Sequence, residues 1–188
     1  DCPVCAVCTE QRHFDCCDKG EVMKKIDAVA NASWNGQFFL LTTMSQGMLD
    51  YGEPSVPPHF LLPDVDDKTL GATLRQAFSG SKKVGVEEFQ KIFHSGIIQE
   101  RGKAREAEAM EKYGYKTKRA LYKNMLCCWI SVFDGNIEIK PTHHKALDAY
   151  SGISNDGPEI QHLPVTFSDA EFGAALREGF KRCTSAVT

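Results

Sequence analysis

The segment Leu62–Phe78 recurs as Leu163–Phe180 with one inserted residue, and this duplication constrains the fold more than any other feature of the chain. Leu70, Gly71, Ala72, Leu74, Arg75, Ala77 and Phe78 meet Phe172, Gly173, Ala174, Leu176, Arg177, Gly179 and Phe180 at matching spacing. A repeated unit has to bury an equivalent apolar face twice, so the two copies are expected to pack on a common core.

The match extends upstream. Trp34-Asn35-Gly36-Gln37-Phe38-Phe39-Leu40 corresponds to Val132-Phe133-Asp134-Gly135-Asn136-Ile137-Glu138-Ile139. Both read as strand, tight turn, strand, because Asn-Gly and Asp-Gly accept the positive φ of a two-residue hairpin. Leu49-Asp50-Tyr51 and Leu147-Asp148-Ala149-Tyr150 follow, each leading to a Gly/Pro-rich loop. Short apolar strands come next, His59–Leu62 and Ile160–Leu163, each stopped by a proline. In the closing helices, Leu70, Leu74, Ala77 and Phe78, and likewise Phe172, Leu176 and Phe180, recur at intervals of three and four and make one apolar stripe. Asp66 or Asp67, and Ser168 or Asp169, can cap the first turns.

The expected fold is therefore an α/β sandwich of two related hairpin–loop–strand–helix halves with pseudo-twofold character. Residues 22–83 form the first half, 84–121 a helical connector and 122–183 the second half, all within one domain spanning 21–188. In the connector, Glu87–His94 reads as a short amphipathic helix after Gly85. Glu100–Tyr113 reads as a charged helix with room for an i,i+4 pair such as Glu108 with Lys112. With 188 residues, 42% of them hydrophobic and 25% charged, the chain buries a core without needing disulfides or metal. No apolar run approaches the roughly 18 residues of a membrane span, and the opening lacks the layout of a signal peptide, so the expected compartment is the cytoplasm.

Residues 1–20 form a cysteine-rich segment with Cys2, Cys5, Cys8, Cys16, Cys17 and His13. Its Cys-x-x-Cys-x-x-Cys spacing could offer thiolates to a tetrahedral zinc ion. A structural zinc module, however, normally brings two ligand pairs separated by a longer stretch of chain. Incidental reduced thiols are the favoured reading, and no metal or cofactor is expected. Cys127 and Cys128 lie in an apolar strand-like run, where at least one of them reads as a small core residue, and Cys183 near the end of the last helix reads the same way.

His143 and His144 follow a strand, where catalytic or metal-binding histidines can sit. Adjacent residues of an extended chain point to opposite sides, which favours a hydrogen-bonding role. There is no phosphate-binding glycine loop, no His-Glu-x-x-His and no nucleophile elbow, and no catalytic residue is assigned. A small enzyme using these histidines, or a zinc-dependent nucleic-acid module, are the competing readings. Glu100–Lys123 holds eight bases against four acids. The interleaved glutamates make it a solvated helix rather than a nucleic-acid surface.

The run Lys118–Val132 followed by Asp134-Gly135-Asn136-Ile137-Glu138-Ile139-Lys140-Pro141-Thr142-His143-His144 resembles the contact-dependent growth inhibition immunity proteins, and Gly173–Arg177 is similar to that family's last helix. The resemblance spans roughly residues 22–183. It implies a non-enzymatic cytoplasmic protein that binds and neutralises, one to one, the C-terminal toxin domain of a neighbouring cell's exoprotein. Toxins of that kind are frequently nucleases, some acting on tRNA, while the immunity protein itself would bind neither nucleic acid nor membrane. Ile26–Asp67 and Ala146–Leu176 contain no Lys or Arg. Their carboxylates would complement a cationic nuclease surface, and Asp50, Glu53, Asp64, Asp66, Asp67, Asp156 and Glu159 are the expected toxin contacts.

Overall fold

The fold is described from a computed structural model that covers residues 25–187; the expectations placed on the N-terminal cysteines lie outside these residues. The first half runs β1 (Ile26–Trp34), β2 (Phe39–Gln46), β3 (Asp50–Gly52), β4 (His59–Leu61) and α1 (Asp67–Ser79). Three helices follow: α2 (Val86–His94), α3 (Ile97–Tyr113) and α4 (Lys118–Tyr122). The second half runs β5 (Leu126–Phe133), β6 (Asn136–Ala146), β7 (Ala149–Gly152), β8 (Gln161–Pro164) and α5 (Asp169–Lys181), with a short β9 (Thr184–Ser185).

One sheet joins the halves in the order β3-β2-β1-β5-β6-β7. The first strands of the two halves meet at its centre, where β1 and β5 pair antiparallel with Ala30 opposite Ile130 and Ala32 opposite Cys128. Along the outer side of β2 lie β3 and β4, and along the outer side of β6 lie β7 and β8. The two hairpins differ. Asp134 (φ 48°) and Gly135 (φ 71°) form the expected two-residue turn. Trp34 pairs with Phe39 instead, which leaves a four-residue loop over 35–38. Asn35 accepts hydrogen bonds from the Gln37 and Phe38 amides, and the released Phe38 ring is fully buried, stacked at 4.1 Å on Tyr113 of α3. Burying a phenyl ring there outweighs the preference for a tighter turn.

The apolar stripes of α1 and α5 cover one face of the sheet. Leu70, Leu74, Phe172 and Leu176 pack with Ala32, Leu41, Cys128, Ile130 and Ile139 in one core cluster, and each large side chain contributes about 1.5–3 kcal/mol. The two helices touch through reciprocal contacts. A Cβ on Gly71 would lie 1.9 Å from the Asp169 carbonyl oxygen, and one on Gly173 would lie 1.9 Å from that of Asp67. Arg75 Nε donates to Asp169 Oδ1 at 2.7 Å and Arg177 Nε to Asp67 Oδ1 at 2.6 Å. Each guanidinium also donates to backbone carbonyls ahead of the opposite helix, those of Val165 and Phe167 for Arg75 and that of Val65 for Arg177. The caps are Asp66 and Ser168, the latter in a reciprocal box with Glu171. Asp67 and Asp169 are thus freed for the opposite helix.

α3 starts at Ile97, three residues ahead of the expected charged segment, with Gly96 at φ 78° turning the chain out of α2. Lys112 lies over the rings of Phe60 and Tyr113, at 5.1 and 5.9 Å, rather than beside Glu108.

Candidate functional site

Alternation along the strands sends a second set of side chains to the face away from α1 and α5. There α3 and α4 cover only part of the sheet. Phe38, Ala109, Leu121 and Met125 fill a smaller core cluster beneath them. Beside that cluster a cleft of ≈ 490 Å³ opens, floored by Asn31, Ser33 and Thr42 and walled by Arg105 and Tyr122. It adjoins a second cavity of ≈ 400 Å³ through Asn31, Met44 and Trp129, and a third of ≈ 340 Å³ through Thr42, Gly52 and Arg105. The three cavities lie side by side along the central strands and together make a groove with shared walls.

The charges in this groove are unequally satisfied. Lys118 Nζ lies 2.6 Å from Glu106, and the Tyr122 hydroxyl donates to the same carboxylate at 3.1 Å. Burial, followed by the nearby Glu106 carboxylate, raises the pKa of Tyr122. Burial lowers that of the Arg105 guanidinium. Trp129 is 37% exposed at the junction of two of the cavities, because its strand neighbours Cys128 and Ile130 take the core side.

The carboxylates singled out from the sequence are dispersed. Glu53 is 7% exposed and accepts from Ser45 Oγ at 2.7 Å, from Ser55 Oγ and from Lys82 at 3.2 Å. Asp66 caps α1 and Asp67 holds Arg177. Glu159 accepts a hydrogen bond from Ser154. Asp50, Asp64 and Asp156 are exposed. Asp50 lines the groove, and partial burial raises its pKa. His143 Nδ1 lies 2.7 Å from Thr184 Oγ1, while His144 is buried, stacked at 4.6 Å on Tyr150, with Nε2 donating to the Leu147 carbonyl. The two rings have different partners. No group of His, Cys, Asp and Glu side chains able to hold a metal occurs among the described residues, and none of the helices there is long and apolar enough to cross a membrane.

Sequence reasoning passed over Arg105 and Trp129. The available signals were Gly102 and Ala109, small residues three before and four after Arg105 on one face of α3, and a tryptophan at the out-facing position of a core strand.

The fold is that of an immunity protein: the chain belongs to the CDI immunity protein family, whose profile matches residues 28–183. Among individual relatives, it is 32% identical over 168 residues to the immunity protein CdiI-YPIII of Yersinia pseudotuberculosis serotype O:3 (strain YPIII), covering 83% of this chain and 95% of that protein. The fold is similar to that of NMB0488, a protein of unknown function from Neisseria meningitidis, at a TM-score of 0.77 and 30% identity over 85% of this chain and 96% of that one. It is also similar to a chain of the CdiA-CT/CdiI toxin and immunity complex from Yersinia pseudotuberculosis, at 0.74 and 30% over 84% and 97% respectively.

Proposed function

We propose that this protein binds the C-terminal toxin domain of a CdiA-type exoprotein inside the cell and neutralises it as a one-to-one complex, without catalysis and without touching nucleic acid or membrane. The observation that carries this reading is the similarity, over 97% of the matched chain, to a member of a toxin and immunity complex. A nuclease is the class of toxin that suits the exposed carboxylates Asp50, Asp64 and Asp156. Carboxylates at a rim accelerate encounter with a cationic surface and penalise wrong partners. Glu53, Asp66, Asp67 and Glu159 contribute by shaping the loops that present that rim, because their own oxygens are engaged within the chain.

The test is co-expression with the toxin domain encoded next to this gene. Growth rescue together with a stable complex on size exclusion supports the reading. Growth arrest with no complex refutes it for that toxin.

A further inference from the structure

Among the described residues, the arginines that hold the fold together have carboxylate partners: Arg75 with Asp169, Arg177 with Asp67 and Arg182 with Glu178. Arg105 is different. It is partly buried on the inner face of α3 between two of the groove's cavities, and none of the hydrogen bonds or ion pairs of the described residues is made by it. Its neighbour Glu106 is drawn away to Lys118 and Tyr122. The central cleft is also lined by Lys103, which adds to the positive field, and by Asp148, while Glu53, Arg101 and Glu108 line the adjoining cavity that Arg105 shares. A guanidinium taken partly out of water without a partner is costly to keep, and the cost is recovered when an oxyanion meets its planar fork.

Resting on the immunity reading above, we infer that the groove under α3 receives an acidic segment of the toxin domain, with an Asp or Glu carboxylate seated on Arg105 and an apolar neighbour packed on Trp129. Charge selects the ligand class, since the central donor fork lacks its acceptor while Asn31 and Thr42 on the floor add short polar groups. Extent selects a chain segment over a small anion, because three neighbouring cavities of ≈ 490, ≈ 400 and ≈ 340 Å³ share walls and a single carboxylate fills a fraction of one. Arg and Trp at the centre of a groove, with the exposed Asp50 in its lining and Asp64 and Asp156 exposed apart from it, is the layout of an anchor with separate steering charges.

The test uses the full chain and the neighbouring toxin domain, with titration calorimetry for affinity and thermal unfolding of the free protein for stability. R105A is expected to weaken binding by about 30-fold or more, and R105K, which keeps the charge and loses the fork, by about tenfold. The melting temperature of either variant alone is expected to stay level or rise, which separates a binding role from a structural one. R105A and R105K both binding within about twofold of wild type would overturn the inference while leaving the immunity reading intact. Should wild-type protein fail to bind the toxin, the immunity reading falls, and the groove is then decided by NMR titration of the Arg105 Nε–H with a hexaglutamate peptide. A saturable shift there upholds the acidic-segment site, and none overturns it.

Discussion

Substituting Gly71 or Gly173 with alanine tests the tightest contact in the fold. Each added Cβ would fall 1.9 Å from a backbone carbonyl oxygen of the opposite helix, 1.1 Å inside the 3.0 Å limit below which such contacts are essentially never found. A carbonyl in the first turn of a helix cannot step aside by itself, so α1 and α5 have to separate. Overpacking of this kind costs about 3 kcal/mol at the upper end of its usual range. Alanine returns about 1 kcal/mol through its better helix propensity. The expected net loss is about 2 kcal/mol, a fall in melting temperature of about 4–8 °C for a chain of this size. Gly102 of α3 supplies the control, because nothing lies within 4 Å of its would-be Cβ. G102A is therefore expected to stabilise by up to about 1 kcal/mol. The double variant G71A/G173A is expected to cost less than the sum of the two, since one separation relieves both clashes. Circular-dichroism melts and urea titrations read these differences. G71A and G173A both melting at or above wild type would refute the close crossing, because propensity alone would then account for the result.

Truncating Arg75 or Arg177 to alanine removes an ion pair together with hydrogen bonds to backbone carbonyls. Each variant is expected to lose about 1–2 kcal/mol in urea unfolding, and both remaining at wild-type stability would remove the helix lock. Glu53 has its pKa held below the ordinary 4.5: burial pushes it up, and the hydrogen bonds from Ser55 and Ser45 and the Lys82 ammonium more than offset that. The stabilisation it supplies is complete above the unfolded value and is lost as pH falls through the lowered one. E53Q is accordingly expected to cost about 1–3 kcal/mol at neutral pH, with the gap to wild type narrowing under acid conditions; a constant gap across pH would contradict the assignment. Burial pushes the Cys127 thiol up to about 12, whereas Cys183 is lowered, chiefly by its contact with Cys128 at 3.7 Å. Iodoacetamide at neutral pH should thus alkylate Cys183 before Cys127 or Cys128, as peptide mapping would read. Replacing Asp50, Asp64 and Asp156 together with asparagine should slow association with the toxin domain and flatten its salt dependence, with little change in dissociation rate; an unaltered association rate would argue against a steering rim.

Elements legible in the sequence are those set by local physics. The three-and-four spacing of Leu70, Leu74 and Phe78 and of Phe172, Leu176 and Phe180 specifies two helices with one apolar face each. Asp-Gly at 134–135 specifies a tight turn, and the repeat itself announces that the two copies are related. Asn35-Gly36 carried the same local signal and yielded a wider loop, because Phe38 gains more from stacking on Tyr113, far along the chain, than a two-residue turn could return. The carboxylates show the same boundary. Glu53, Asp64 and Asp67 look alike in sequence, yet one is enclosed by Ser45, Ser55 and Lys82, one is exposed, and one is held by Arg177 110 residues away. Whether a charge is free depends on which partner the fold carries to it, and that is a long-range outcome with no short-range signature. Periodicity, capping and duplication thus determined from the sequence alone what the elements are and that they come in pairs. Only the tertiary structure decided that α1 and α5 touch backbone to backbone, that α3 leaves part of the sheet's second face open, and that Arg105 stands in the resulting groove with no hydrogen bond or ion pair among the described residues, because each of these depends on distances between residues that the chain order keeps apart.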